Sequence, residues 1–401
     1  MRNIIRLALL VGLTLACATH AEAAGDVVKI GVLNDQTGMN ADLSGQGSVI
    51  AARMAAEDAG GKVIGKKIEV VFADHQNKAD VGSSIATQWY DKDGVDVIAD
   101  LPFSSVALAV QEIARQRQKI VLFSGPGSSD LTGKACSPFG FHWTFDTVAL
   151  ARGTGSAVVK SGGDTWFFLV ADYAFGHALA KDTIQVVRAN GGKVLGQAIH
   201  PVNTSDFSSY LVQAQASGAK VIGLANGATD TTNAIKQAHE FGITQAGQKL
   251  AGLLVFITDV HSLGLEVAQG LQMTESFYWN MDDQTRAFSK RYAERMNGRM
   301  PSMVQAGVYS AVAHYLKAVA AAGTLDGPAV AAKMHELPVN DFMSHNVHIR
   351  RDGRVMRDFY LFEVKSPAES KGEWDYYKLV RTIPAEEAAR PEAEGNCPLV
   401  K

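Results

Sequence analysis

The side chains that carry most enzyme chemistry are all present in this chain of 401 residues, but not at the spacings that chemistry needs. A nucleophile elbow sets its serine between two glycines at two residues' distance; in Gly45-Gln46-Gly47-Ser48 the serine falls outside that frame. Gly125-Pro126-Gly127-Ser128-Ser129-Asp130 opens like a dinucleotide-binding turn, yet Asp130 stands where the third glycine belongs and Pro126 stiffens the turn. A phosphate loop would need Ser or Thr after Gly61-Lys62, and Val63 follows. His239-Glu240 and His335-Glu336 each lack the second histidine of a zinc-binding helix, and the cysteines have no metal-ligand spacing. The expectation is therefore a protein that is not an enzyme and holds no metal and no cofactor.

The elements that must position any site come next, and composition bounds them. With 47% hydrophobic and 20% charged residues the chain can bury a large core and more than one domain. A net charge of -3 gives no basic footprint, so nucleic acid is not an expected partner. The N-terminus is different in kind. Arg2 and Arg6 border an apolar run over residues 7–16, and Ala21-Glu22-Ala23 follows as a small-residue cleavage pattern. That run is half the ~20 residues a spanning helix needs, so residues 1–23 read as a signal peptide and the mature protein as exported and soluble. Lipid attachment at Cys17 is the alternative, with Thr14 where Leu is usual. Cleavage leaves Cys136 and Cys397, which either form one bridge tethering a polar, Pro-containing tail or remain two buried thiols.

From Asp26 onward, short β-rich runs alternate with amphipathic stretches. Strands are expected at 27–33, 67–73, 95–100 and 120–124, with helices at 45–59, 81–92 and 106–116. Continuous apolar strands separated by helices indicate a parallel sheet covered on both faces. The rhythm restarts after a crossover at 139–144: helices at 150–161, 176–190, 207–217 and 231–241, strands at 165–171, 193–199, 220–225 and 250–256. A strand at 273–279, helices at 284–296, 302–322 and 329–337, and an antiparallel pair at 355–364 and 376–383 complete the expectation. The fold class is α/β, with two doubly wound lobes of mostly parallel sheet flanked by helices.

Several segments carry a more specific signal. Lys29-Ile30-Gly31-Val32-Leu33-Asn34-Asp35-Gln36-Thr37-Gly38 is a strand entering a Thr-Gly loop, and Ala59-Gly60-Gly61 closes the next helix. Asp93-Gly94-Val95-Asp96-Val97-Ile98 leads into Ser104-Ser105-Val106, and Ser124-Gly125-Pro126-Gly127-Ser128-Ser129-Asp130-Leu131-Thr132 forms a later turn. Ala171-Asp172-Tyr173-Ala174-Phe175-Gly176 and Thr204-Ser205-Asp206-Phe207-Ser208 follow. In this order and spacing the chain resembles the periplasmic binding proteins of branched-chain amino acid ABC transporters. The resemblance implies a clamshell of type I, with lobes formed by residues 25–143 plus 278–353 and 144–277 plus 354–384, and a tail at 385–401. It implies a periplasmic monomer that passes a small carboxylate to an inner-membrane ABC permease. The ligand's carboxylate would sit on the turns at Phe103-Ser104 and Gly127-Ser128-Ser129, where hydroxyls and backbone N–H groups at helix starts cradle an anion. The same hydroxyls can simply cap those helices. Tyr173 and Phe175 would cover the ligand, Asn226 would contact it, Asp259 would pair with an ammonium, and Trp279 would line the cleft; loop packing, helix capping and a buried hinge ring are the respective alternatives. Phe103 departs from the family's usual Ser, which points the specificity toward an aromatic or hydrophobic carboxylate. A ligand-sensing module for a membrane receptor and an exported enzyme are the rival functions.

Overall fold

The computed structural model describes residues 26–400. The signal-peptide reading, its cleavage after Ala23 and the Cys17 alternative lie outside the described residues. Among the described residues no helix is long and apolar enough to cross a membrane.

The first sheet grows around β1 (Val27–Asn34). β2 (Lys62–Val63) and β3 (Lys66–Asp74) lie on one side, and β4 (Val97–Asp100), β5 (Ile120–Phe123) and β6 (Gly140–His142) on the other, in the order β2-β3-β1-β4-β5-β6. All pairings but the β2–β3 hairpin are parallel. The order reverses at β1, so a crevice must open between the loops that leave β1 and β4. β4 and β5 are buried along their whole length, as expected for strands covered on both faces.

The second sheet repeats the plan with β7 (Thr165–Ala171), β8 (Lys193–His200), β9 (Val221–Ala225) and β10 (Lys249–Gly252) in the all-parallel order β10-β9-β7-β8. Its switch point lies between β7 and β9. Downstream, β11 (Gln272–Glu275) is followed by the hairpin β12 (Val339–Asp341) and β13 (Ser344–Val347), then by β14 (Phe359–Val364) and β15 (Tyr377–Ile383). β11, β14 and β15 form an antiparallel sheet whose Met273, Phe362 and Tyr377 join the core of the second lobe.

Helix Met303–Ala322 returns to the first lobe and packs along helix Gly45–Asp58. Its start is fixed by a capping box: Ser302 Oγ accepts from Gln305 N at 3.2 Å and Gln305 Oε1 accepts from Ser302 N at 3.0 Å. Residues 143–146, 276–282 and 348–358 are connecting segments that belong to no strand or helix. At the first and third of these, buried Arg354 pairs with buried Asp146. Cys136 and Cys397 are joined by a disulfide, so the bridged alternative holds.

Several boundaries differ from the sequence reading, each for a local reason. The apolar run 250–256 stops being a strand at Gly252, because Leu253–Phe256 are buried as a loop facing the other lobe. The run 273–279 ends at Glu275 and continues as a crossover; 355–358 is likewise a crossover before β14. Within the 139–144 crossover, Gly140–His142 first adds an edge strand to the sheet. The helix expected at 150–161 begins at Thr147, capped by Asp146, and widens into a π-turn over Ala151–Gly155.

Candidate ligand-binding cleft

The carboxyl ends of the parallel strands in both sheets face one another. The loop after β1 brings Asn40 and Leu43, the loop after β4 brings Pro102, and the loop after β5 brings Gly125 and Gly127. From the second lobe come Tyr173 and Phe175 after β7, Gly227 and Ala228 after β9, and Leu254 and Phe256 after β10. Together they border a narrow crevice at the two switch points.

The first-lobe wall rests on buried polar bonding. Asn34 Nδ2 donates to Ser44 Oγ at 2.9 Å, Asp100 Oδ2 at 3.0 Å and Gly45 O at 2.9 Å, and Ser44 Oγ donates to Asp100 Oδ2 at 2.6 Å. Burial with no cation beside it pushes the Asp100 carboxyl up to about 6. Asp35 collects the N–H groups of Gly38 and Asn40 and the amide of Asn77, which folds the 35–40 loop over the crevice. The cap of helix Met303–Ala322 ties down the rest: Ser302 Oγ donates to Leu43 O at 2.6 Å, and Gln305 Nε2 donates to Ser44 O at 3.1 Å. Asp100 (φ 84°) and Leu101 (φ 60°) both take the left-handed region as β4 turns into the cleft, a conformation costly for side chains of this kind. A β-carbon on Gly125 would lie 2.6 Å from Pro102 Cα, so only glycine fits there.

The second-lobe wall meets the first through rings. Phe103 and Tyr173 stack across the gap with centroids 4.4 Å apart and planes 13° apart. Phe175 is buried beside Tyr173 and lies over Gly127, where a β-carbon would stand 2.7 Å from the phenyl ring. Three helices start at the rim, Ser104–Gln116, Ala174–Ala189 and Ala228–Glu240, and their N-terminal ends supply positive potential. No Lys, Arg, Asp or Glu is among the lining residues. Asp230, in the first turn of the third helix, is fully buried; Oδ2 accepts from Asn203 N at 3.2 Å and Oδ1 has no partner among the described residues. Burial pushes its carboxyl up to about 6, and its charge acts on Tyr173.

A family model described as periplasmic binding protein matches residues 27–373. The chain belongs to the periplasmic binding protein family. It is thus a solute-binding protein, of a family placed in the periplasm. A periplasmic binding protein from Burkholderia mallei is 53% identical, with a TM-score of 0.92 over 94% of this chain and 100% of that one. A branched chain amino acid ABC transporter periplasmic ligand-binding protein from Burkholderia xenovorans LB400 is 40% identical, with a TM-score of 0.83 over 93% and 100%. A solute binding protein from R. palustris in complex with benzoate shares the fold at 19% identity, with a TM-score of 0.80 over 89% and 97%. No curated protein sequence matches the chain.

The residues that the sequence singles out in this periplasmic binding protein fall into three groups. Gly127, Tyr173 and Phe175 line the crevice, and Phe103 stacks on Tyr173. Ser104, Ser128 and Ser129 stand beside it with their hydroxyls bonded: Ser104 Oγ accepts from Ser128 N at 3.2 Å, Ser128 Oγ from Asp130 N at 3.4 Å, and Ser129 Oγ donates to Asp182 Oδ2 at 2.8 Å. Asn226 is buried against Thr231 (2.7 Å) and His200 (3.1 Å). Asp259 Oδ2 accepts from Phe256 N at 2.9 Å, and burial pushes its carboxyl up to about 7. Trp279 Nε1 donates to Trp374 O at 2.8 Å, toward the antiparallel sheet. Sequence reasoning missed Asn40, Leu43, Pro102, Gly227, Ala228, Leu254, Phe256 and Asp230. Their shared signal is position: each lies within a few residues, or a single loop, after a parallel strand.

Proposed function

We propose that this solute-binding protein closes two lobes over a small carboxylate and delivers it to an ABC importer in the inner membrane, without converting it chemically. The lobes are residues 25–143 plus 278–353 and 144–277 plus 354–384; the chain acts as a monomer, released into the periplasm by cleavage after Ala23. One observation carries the reading: three helix N-termini and the glycine-containing turns at 125–127 meet at a narrow crevice lined by aromatic, aliphatic and amide groups and by no charged side chain. Such a place favours an anionic head group with an apolar body. Ser104, Ser128 and Ser129 hold the shape of the turn beside the ligand, while Tyr173 and Phe175 cover it. For an amino acid, the ammonium would be met by a buried second-lobe carboxylate, Asp230 with its unpartnered oxygen or Asp259. The Burkholderia xenovorans relative supports a branched-chain amino acid. The Phe103–Tyr173 stack favours instead an aromatic carboxylate.

A thermal-shift comparison of L-leucine with benzoate tests this. A bound ligand at 100 times its Kd adds about 2.7 kcal/mol. Stabilisation by L-leucine that disappears in Asp230→Asn identifies the ammonium partner. Stabilisation by benzoate alone assigns the crevice to aromatic acids, and no shift with any amino acid or aromatic acid refutes the carboxylate reading.

A further inference from the structure

The chain does not end where its last sheet ends. β15 stops at Ile383 in the second lobe, and the tail then runs back toward the first. Helix Ala385–Ala388 packs on helix Thr147–Leu150, and Arg152 Nη1 donates to the carbonyls of Glu387 and Ala389. Arg350 Nη1 donates to Arg390 O at 2.9 Å. Arg390 Nη2 then donates to Ser129 O at 2.7 Å, in the turn that faces the crevice. The tail is finally fastened to the first lobe through Cys397 and Cys136. That same turn is gripped from two other directions. Thr147 N donates to Gly127 O at 2.8 Å and Thr147 Oγ1 receives Ser129 N at 3.2 Å, while Asp182 on the second-lobe helix accepts from Ser129 Oγ.

We propose that the tail is a fourth, covalently closed connection between the lobes, and that Arg390 is a positioning residue for the cleft turn at 127–129. The reading of that turn as a ligand contact is the proposed function on which this rests. Three crossovers alone leave the turn free to follow the hinge at Thr147 and the helix at Asp182. The guanidinium adds a charge-assisted bond from a segment that is itself anchored on the first lobe, so the turn keeps its shape when the other two contacts move. Reduction of the disulfide removes the covalent anchor and leaves Arg390 held through the Arg152 and Arg350 bonds.

Hydrogen exchange on the ligand-free, exported full chain tests the bracing directly. Peptides covering 124–132 are compared with those covering β1 and β7 in the oxidised protein, the reduced protein, Arg390→Met and Arg390→Lys. Arg390→Met and reduction should each speed exchange in 124–132 by about tenfold or more, with β1 and β7 unchanged and Arg390→Lys close to the parent. Unchanged exchange in 124–132 overturns the proposal. So does equal acceleration in β1 and β7, which makes the tail a general stabiliser. Because no ligand is present, this outcome stands apart from the L-leucine and benzoate result that decides the function.

Discussion

Gly127 has no side chain because Phe175, from the opposite lobe, occupies the space one would need. A β-carbon there would also stand 2.8 Å from the Phe145 ring, so Gly127→Ala strains the packing against both rings. Ligand affinity should fall by about tenfold or more and the melting temperature of the free protein should fall as well; calorimetric titration with whichever of L-leucine and benzoate stabilises the parent, beside a melting curve, measures both. Arg357 makes the opposite case, a large side chain with nothing to hold. It is 2% exposed, and its Nε, Nη1 and Nη2 have no hydrogen-bond partner among the described residues. Burial pushes the guanidinium down to about 10. The cost of desolvating the charge outweighs the attraction of Asp341, so Arg357→Met should raise stability, by about 1–4 kcal/mol in urea denaturation. The sequence offers Gly127 as part of a ligand-binding turn but not its clash with the rings, and it does not single out Arg357. Gly127 is one glycine of a turn, and Arg357 is one of four arginines between 350 and 357.

At the scale of elements, helix Met303–Ala322 couples a cap to the cleft. Its N-cap Ser302 closes the helix and also holds Leu43 O on the crevice wall. Ser302→Ala should cost about 1 kcal/mol of stability through the lost cap, and in addition weaken ligand binding, because the 42–44 loop loses its tie to Ser302 and keeps the Gln305 bonds and the Arg299–Asp42 pair. Denaturation with ligand titration on the same variant checks both halves. The alternation of strand and helix was legible because each buried strand is a short apolar run between glycines or caps. The ends were legible only where a capping signal stood, as at Ser302. Residues 253–256 are as apolar as the strand before them, and nothing in their types distinguishes a buried strand from a buried loop facing another lobe. The cleft is hidden for the same reason. Leu43, Pro102, Leu254 and Phe256 look like core, and Asp230 differs from Asp259 only in what surrounds it once folded.

The whole molecule carries buried carboxyls whose titration bears on its stability. Asp100 and Asp230 are pushed up to about 6 and Asp259 to about 7 from an ordinary 3.8. A raised carboxyl favours the protonated folded form, so its contribution is complete below about pH 4 and is lost as pH rises through 6 to 7. Buried His75 and His142, pushed down to about 4 and about 3, act in the other direction and take stability away as pH falls below 6.5. The cleaner measurement is therefore a difference. The stability of Asp259→Asn relative to the parent should climb by about 1–4 kcal/mol between pH 4 and pH 7 and level off above, in urea melts at each pH; a flat difference would mean Asp259 is ionised throughout. The lobe that begins with β1 is also the last to be finished, since helix Met303–Ala322 and Cys397 both return to it. A chain made from its N-terminus thus presents helix Gly45–Asp58 without its packing partner until residue 303 and beyond have followed. Long-range closure of this kind slows folding, and it leaves the growing polypeptide with an uncovered helix face until those residues have been made.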